Sequence, residues 1–258
     1  MRMLLGDTWV DRDQTIAVHD PFDDSVVDTV PRGTPADVDA ALAAAVQGFE
    51  IARRMTVYDR VNVLLGAAAI IRGRLDEFAT IIAREGSKTI REARKEALRC
   101  TNTLTLSAEE AKRLTGETIA FNSFPGGEKR RGFYERVPIG VVLCITPFND
   151  PLNLVAHKLG PAIAAGNAVV LKPATVTPLS ALMLTEALME AGLPPLVLQT
   201  LTGHGGEIGD RLVADERVRM ISFTGGVEAG KRIMSLCGLK KVGMELGSNS
   251  PVVVWKDA

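Results

Sequence analysis

The chain has 258 residues, 46% of them hydrophobic and 24% charged, with 30 Lys and Arg against 31 Asp and Glu. That length buries a sizeable core in one or two domains, and a net charge of −1 gives no electrostatic case for nucleic acid or an anionic membrane as partner. No run nears the roughly 18 apolar residues of a membrane span, and the apolar patch before Asp7 is too short for a signal peptide's core, so the expected location is cytoplasmic.

Residues 1–32 offer short strand-like pieces at Thr8-Trp9-Val10, Ile16-Ala17-Val18 and Val26-Val27, broken by Asp-rich turns and Pro21. They are expected to form an edge layer. Thr34-Pro35-Ala36-Asp37 then gives an N-cap, a proline at the first helical position and an acid that completes the cap, predicting a helix to about Arg54. A second helix is predicted from Val57 to Arg84 on the spacing of Val61, Leu64, Leu65, Ala68, Ile71, Leu75, Phe78 and Ile82. A third runs from Ile90 to Leu114, with Glu92, Arg94, Lys95 and Glu96 read as its solvated face. Residues 116–137 change character: Pro125-Gly126-Gly127 is a turn between two alternating segments, which predicts a projecting hairpin.

From Ile139 onward strands and helices alternate. Strands are expected near 141–145, 168–172, 197–202, 220–223 and 251–255, with helices near 151–165, 178–191, 205–213 and 227–236. Apolar strands without alternation belong in a sheet covered on both faces, so the pattern specifies a doubly wound parallel α/β sheet. The organising unit is Ile145 to Pro173, a strand, a turn carrying Asn149, a helix and a second strand. Ligands of open α/β sheets bind at such carboxyl strand ends.

Pro147-Phe148-Asn149, His157-Lys158-Leu159-Gly160-Pro161, Ala165-Gly166-Asn167, Leu171-Lys172-Pro173, Ile221-Ser222-Phe223-Thr224-Gly225 and Glu245-Leu246-Gly247 resemble, in order, the signatures of the aldehyde dehydrogenase superfamily. The likeness covers nearly the whole chain. It implies a Rossmann-like sheet with N-terminal helices, NAD(P) as cofactor, an aldehyde as substrate and oxidation to the acid through a cysteine thioester. It divides the chain into N-terminal strands and helices of the cofactor domain at 1–115, an oligomerisation hairpin at 116–138 and an NAD(P)-binding core at 139–258. A homo-oligomer follows from the hairpin. The Glu245–Ser250 segment, with Glu109-Glu110-Ala111-Lys112 and the hairpin, looks closest to the branch acting on lactaldehyde, glyceraldehyde phosphate and phosphonoaldehydes.

The resemblance makes Asn149 the donor that holds the aldehyde oxygen as it gains charge, and Glu245 the base that activates water. On the residues alone a turn-forming asparagine and a salt-bridged acid remain open. An acid between apolar neighbours and a glycine turn is expected to have a raised pKa. Cofactor contacts are implied at Ile145, Thr146, Pro147, Phe148, Lys172, Thr175, Gly205, Phe223, Thr224, Gly225 and Gly226. The Lys172 ammonium should emerge at the sheet's carboxyl edge, as a snorkelling lysine also would. Many NAD-preferring members have a glutamate three residues after this lysine. Thr175 stands there, which removes repulsion toward a 2′-phosphate and favours NADP over NAD. Glycines at 205, 206, 225 and 226 open helices whose N–H groups suit a pyrophosphate. Asp150, beside Asn149, should disfavour anionic substrates unless Arg99 or Arg136 compensates.

Cys100, Cys144 and Cys237 are odd in number and far apart, without metal or disulfide spacing, and are read as reduced, buried thiols. His19, His157 and His204 lack ligand spacing too, with His157 read as a packing or capping residue; no metal site is expected. The family's nucleophilic cysteine lies well beyond the glutamate, and the sequence ends at Ala258. The chain is therefore expected to lack the C-terminal catalytic domain and to be inactive alone, as the N-terminal part of a dehydrogenase. The alternatives are a non-catalytic nucleotide-binding or subunit-interaction module, or one half of a split enzyme.

Overall fold

The computed structural model describes residues 1–257. β1 (Met3–Leu5) and β2 (Thr8–Val10) form a hairpin at one edge of the main sheet, whereas β3 (Thr15–His19) and β4 (Val26–Pro31) make a separate antiparallel ribbon. The expected edge layer is therefore two structures. Met3–Leu5 was not anticipated as a strand; its three residues are buried and Leu4 pairs with Thr200.

α1 (Pro35–Ala52) starts on the predicted capping box, with the Thr34 hydroxyl accepting from the Asp37 N–H and the Asp37 carboxylate accepting from the Thr34 N–H. The single helix expected at 57–84 is two, α2 (Val57–Gly73) and α3 (Leu75–Gly86). Arg74 leaves helical geometry at φ −110°, ψ 27° while its N–H still bonds to Ile70 and Ile71 carbonyls. Gly73 weakens the helix at that point, and the bend lets Phe78 and Ile82 turn fully into the core. α4 (Ile90–Ala111) follows a Thr89 cap and stops three residues short of the expected Leu114. Its supposed solvated face is mixed: Glu92, Arg94 and Lys95 are exposed, but Glu96 is buried. β5 (Glu117–Ile119) and β6 (Gly132–Tyr134) pair antiparallel as the anticipated hairpin, with Phe124 and Phe133 exposed on it.

The core alternates as expected through β7 (Val141–Ile145), α5 (Asn153–Ala164), β8 (Ala168–Lys172), α6 (Leu179–Glu190) and β9 (Leu198–Thr200). A π-helical turn at Gly205–Gly209 leads into α7 (Asp210–Ala214), followed by β10 (Val218–Thr224), α8 (Val227–Leu236) and β11 (Lys241–Glu245). The strand expected at 251–255 is not formed; Val252 to Trp255 are exposed and β11 is the strand next to β10. Strand order is β11-β10-β7-β8-β9-β1-β2, parallel through β9.

Alternation along β7 divides the core. Val142 and Cys144 pack with α2, α4, α5 and α6 on one face, and Val141 and Leu143 pack with α1, α7 and α8 on the other. The chain runs outward from β7 through β8 and β9, then returns to add β10 on β7's other side. The topological switch point thus lies between the carboxyl ends of β7 and β10, where a crevice opens. No helix among the described residues is long and apolar enough to cross a membrane.

Candidate active site

Strand register assembles the site. Lys172 pairs with Ile145, Ile145 with Phe223 and Phe223 with Met244, so four carboxyl ends stand in one row. One step further, Thr224 pairs with Glu245, and the Glu245 carbonyl accepts from the Gly225 N–H at 3.1 Å. Ile145, Lys172, Gly205, Gly206, Phe223 and Ile233 line a cavity of about 300 Å³ beside this row.

Lys172 reaches the crevice but does not emerge from it. It is 5% exposed, its Nζ donates to the Pro173 carbonyl at 3.1 Å, and burial pushes the ammonium down to about 8. A charged lysine with one protein acceptor has donors left for a ligand. The Thr175 hydroxyl donates to the Gly203 carbonyl at 3.0 Å, tying the loop after β8 to the loop after β9. That hydroxyl proton is therefore engaged within the protein.

Glycine positions test whether a nucleotide fits. A Cβ on Gly225 would strike the Phe223 ring at 2.6 Å, so packing alone requires that glycine. At Gly205, Gly206 and Gly226 a Cβ would meet nothing within 4 Å, so the space above them belongs to no protein atom. Gly226 is also the N-cap of α8 and supplies no side-chain bond to that helix's first amides. Open backbone, free helix N–H groups and a buried ammonium are a donor set matched to a ribose and pyrophosphate.

Asn149 and Phe148 are exposed, with Thr146 buried and Pro147 half-buried beneath them. The Thr146 N–H bonds to the Lys172 carbonyl, the Asp150 carbonyl accepts from Leu154 N–H at 3.0 Å, and Glu96 holds the other side of the turn. Glu96, 1% exposed, accepts from the Leu152 and Asn153 N–H groups at 2.9 and 3.1 Å and from Lys88 Nζ at 2.6 Å. Lys88 also bonds Asp150, whose second oxygen lies 3.0 Å from Arg99. Arg99 thus compensates Asp150 as anticipated, Lys88 does so unannounced, and Arg136 instead lies over the Tyr134 ring.

Glu245 is exposed at the end of β11, so the apolar enclosure expected around it is not supplied by the described residues. Lys158 was overlooked. It is 8% exposed on α5, donates to Ser222 and Thr224 hydroxyls at 3.2 and 2.9 Å, and its pKa is lowered by burial against the opposing pull of Cys144 and Glu245. A lysine amid Val155, Ala156 and Leu159 was the available signal. His157, next to it, is exposed rather than packed, and partial desolvation of its ring, with the charges of Arg99 and Lys158, lowers its pKa. All three cysteines are buried; burial pushes the Cys144 thiol up to about 12 and Cys100 upward as well.

Residues 9–258 match the model of the Aldehyde dehydrogenase family. An aldehyde-dehydrogenase-like protein of Sinorhizobium fredii is 53% identical over 94% of this chain and 47% of its own length. The 3-sulfolactaldehyde dehydrogenase of Priestia megaterium is 52% identical over 87% of this chain and 47% of its own. The crystal structure of NADP-dependent glyceraldehyde-3-phosphate dehydrogenase from Bacillus halodurans, complexed with NADP, superposes with a TM-score of 0.94 at 36% identity, covering 97% of this chain and 53% of that one. The chain spans about half the length of the relatives it matches. With its motifs in order on the matching sheet, the chain belongs to the aldehyde dehydrogenase family.

Proposed function

We infer that this chain carries the cofactor-binding and oxyanion-stabilising part of an NAD(P)-dependent aldehyde dehydrogenase, which oxidises an aldehyde to a carboxylic acid through a cysteine thioester. The observation that carries this reading is the row Lys172, Ile145, Phe223 and Met244, which gathers the candidate residues around one switch-point crevice.

Bound NAD(P) supplies the hydride acceptor. Lys172 and the open backbone around Gly205, Gly206 and Gly226 bind ribose and pyrophosphate, with Phe148 and Ile145 as apolar walls and Gly225, its N–H held by the Glu245 carbonyl, shaping the turn. The Asn149 side-chain amide donates to the aldehyde oxygen as negative charge develops on it, a contribution typically worth about 100- to 1000-fold in turnover. Glu245 takes the proton of the water that hydrolyses the thioester. None of the three thiols serves as nucleophile: each is buried, and burial raises the pKa of Cys100 and Cys144, which makes a thiol a poor one. In this reading the 258-residue chain alone is inactive.

NADP is the preferred cofactor. With no carboxylate at Thr175, a 2′-phosphate meets no repulsion there, and the Bacillus halodurans relative is complexed with NADP. The substrate is a short hydroxylated or anionic aldehyde: Lys88 and Arg99 neutralise Asp150, and two relatives are named for sulfonate- and phosphate-bearing aldehydes. The hairpin's exposed Phe124 and Phe133 make it the oligomerisation element.

Calorimetric titration with NADP and NAD tests the reading. Binding of both, tighter for NADP, is expected; absence of binding overturns the cofactor role, and equal or tighter NAD binding overturns the preference. Assay of this chain with D-glyceraldehyde 3-phosphate should show no turnover.

A further inference from the structure

α5 and α6 follow β7 and β8, and neither is capped by its own sequence. Leu152 and Pro178 occupy their N-cap positions without a side-chain hydrogen bond. Leu152 is fully buried and Pro178 carries no side-chain acceptor, so no local cap is available. Their first amides are bonded all the same, by carboxylates from another layer. Glu96 of α4 accepts from Leu152 and Asn153, and Glu85 of α3 accepts from Leu179 and Ser180 at 2.7 and 2.9 Å. Both side chains are 1% exposed.

We propose that Glu85 and Glu96 are paired positioning residues of the site. Glu96 fixes the turn that presents Asn149 to the aldehyde, and Glu85 fixes the loop that sets Lys172 and Thr175 against the nucleotide ribose. The proposal rests on the functional reading above and deepens it. A carboxylate bonded to two N–H groups at a positive helix end is a strong, directional anchor. Asn149 lies just before the amides held by Glu96. Lys88 adds a second tether, bonding both Glu96 and Asp150. On the other side, residues 173–178 run between the buried Lys172 and the amides held by Glu85. The Thr175–Gly203 bond clamps that loop at its middle. Each half of the site is thus referenced to the α3–α4 layer, at a distance from the chemistry.

The test uses Glu85→Gln and Glu96→Gln in the full natural polypeptide, with NADP and D-glyceraldehyde 3-phosphate. Glutamine keeps the shape but turns one acceptor into a donor facing an amide. Glu85→Gln should raise the NADP Kd about tenfold and leave kcat at saturating NADP within about twofold. Glu96→Gln should lower kcat about tenfold and leave the NADP Kd within about twofold. Effects that move Kd and kcat together in both variants, or leave both unchanged, overturn the proposal and reduce the carboxylates to structural caps. Amide exchange in the wild-type protein decides independently of whether the variants fold. The Leu152, Asn153, Leu179 and Ser180 amides should be among the protected ones, and fast exchange overturns the anchoring. A wild-type protein that binds no nucleotide sinks the functional reading, whereas an active wild type with unsplit variants sinks only the positioning role.

Discussion

α5 and α8 each follow a strand of the same sheet and each open on a turn holding candidate site residues, yet they are built differently. Nine of the twelve α5 residues are buried and its first amides are held by Glu96. Only Gly230 and Ile233 are buried in α8, and no side chain caps it. On the function proposed above, the contrast separates two tasks. An oxyanion donor works by standing still where charge develops, so its turn is braced by a buried carboxylate. A phosphate-binding turn works by keeping amides free, so its helix is left to be completed by what binds.

The largest test of that contrast removes the brace. Glu96→Ala would orphan the Leu152 and Asn153 amides and leave Lys88 with Asp150 alone. We expect a loss of about 3–5 kcal/mol in denaturant unfolding. A loss below about 1 kcal/mol would mean that α5 is held by packing alone, like any buried helix.

Next in size is the pH dependence contributed by Glu85. Burial raises its pKa from 4.5 to about 7, bonds from Ser180 and Leu179 oppose the shift, and Glu96 of α4 adds to it. A folded-state value above the unfolded one means that the folded state holds the proton more tightly. The stability this contributes is full below about pH 4.5 and is lost as pH rises through about 7. The stability of wild type relative to Glu85→Gln should therefore fall by up to about 3 kcal/mol between those limits and stay flat above them. Parallel urea midpoints across that range would remove Glu85 as the cause.

These buried glutamates also mark where the sequence stops being legible. Continuous apolar runs announced β7 and β8 as two-faced strands, and Thr34 announced its capping box, because those signals lie within a few residues of one another. Glu96 and Glu85 meet their amides 56 and 94 residues away, and on an amphipathic helix each reads as one more surface charge. Lys158 was hidden in the same way, its partners lying 64 and 66 residues away on β10. At the other edge the error ran in reverse. Val252 to Trp255 have strand-forming side chains but no paired neighbour among the described residues, while Lys241–Glu245, interrupted by Gly243, pairs fully with β10. Strand propensity needs a partner to become structure.

The smallest stability effect sharpens the comparison most. Gly226→Ala adds a methyl where nothing lies within 4 Å, at an extended φ of −69° and ψ of 152° that alanine adopts readily. Unfolding should shift by no more than about 0.5 kcal/mol. The neighbouring Gly225→Ala should instead destabilise, because its methyl meets the Phe223 ring at 2.6 Å. If the space over Gly226 is where a pyrophosphate approaches the backbone, the same silent methyl should raise the NADP Kd about tenfold or more, as a ligand held off its amides loses charge-assisted bonds. Unchanged NADP binding by a stably folded Gly226→Ala protein would show that α8 is uncapped for some reason other than nucleotide.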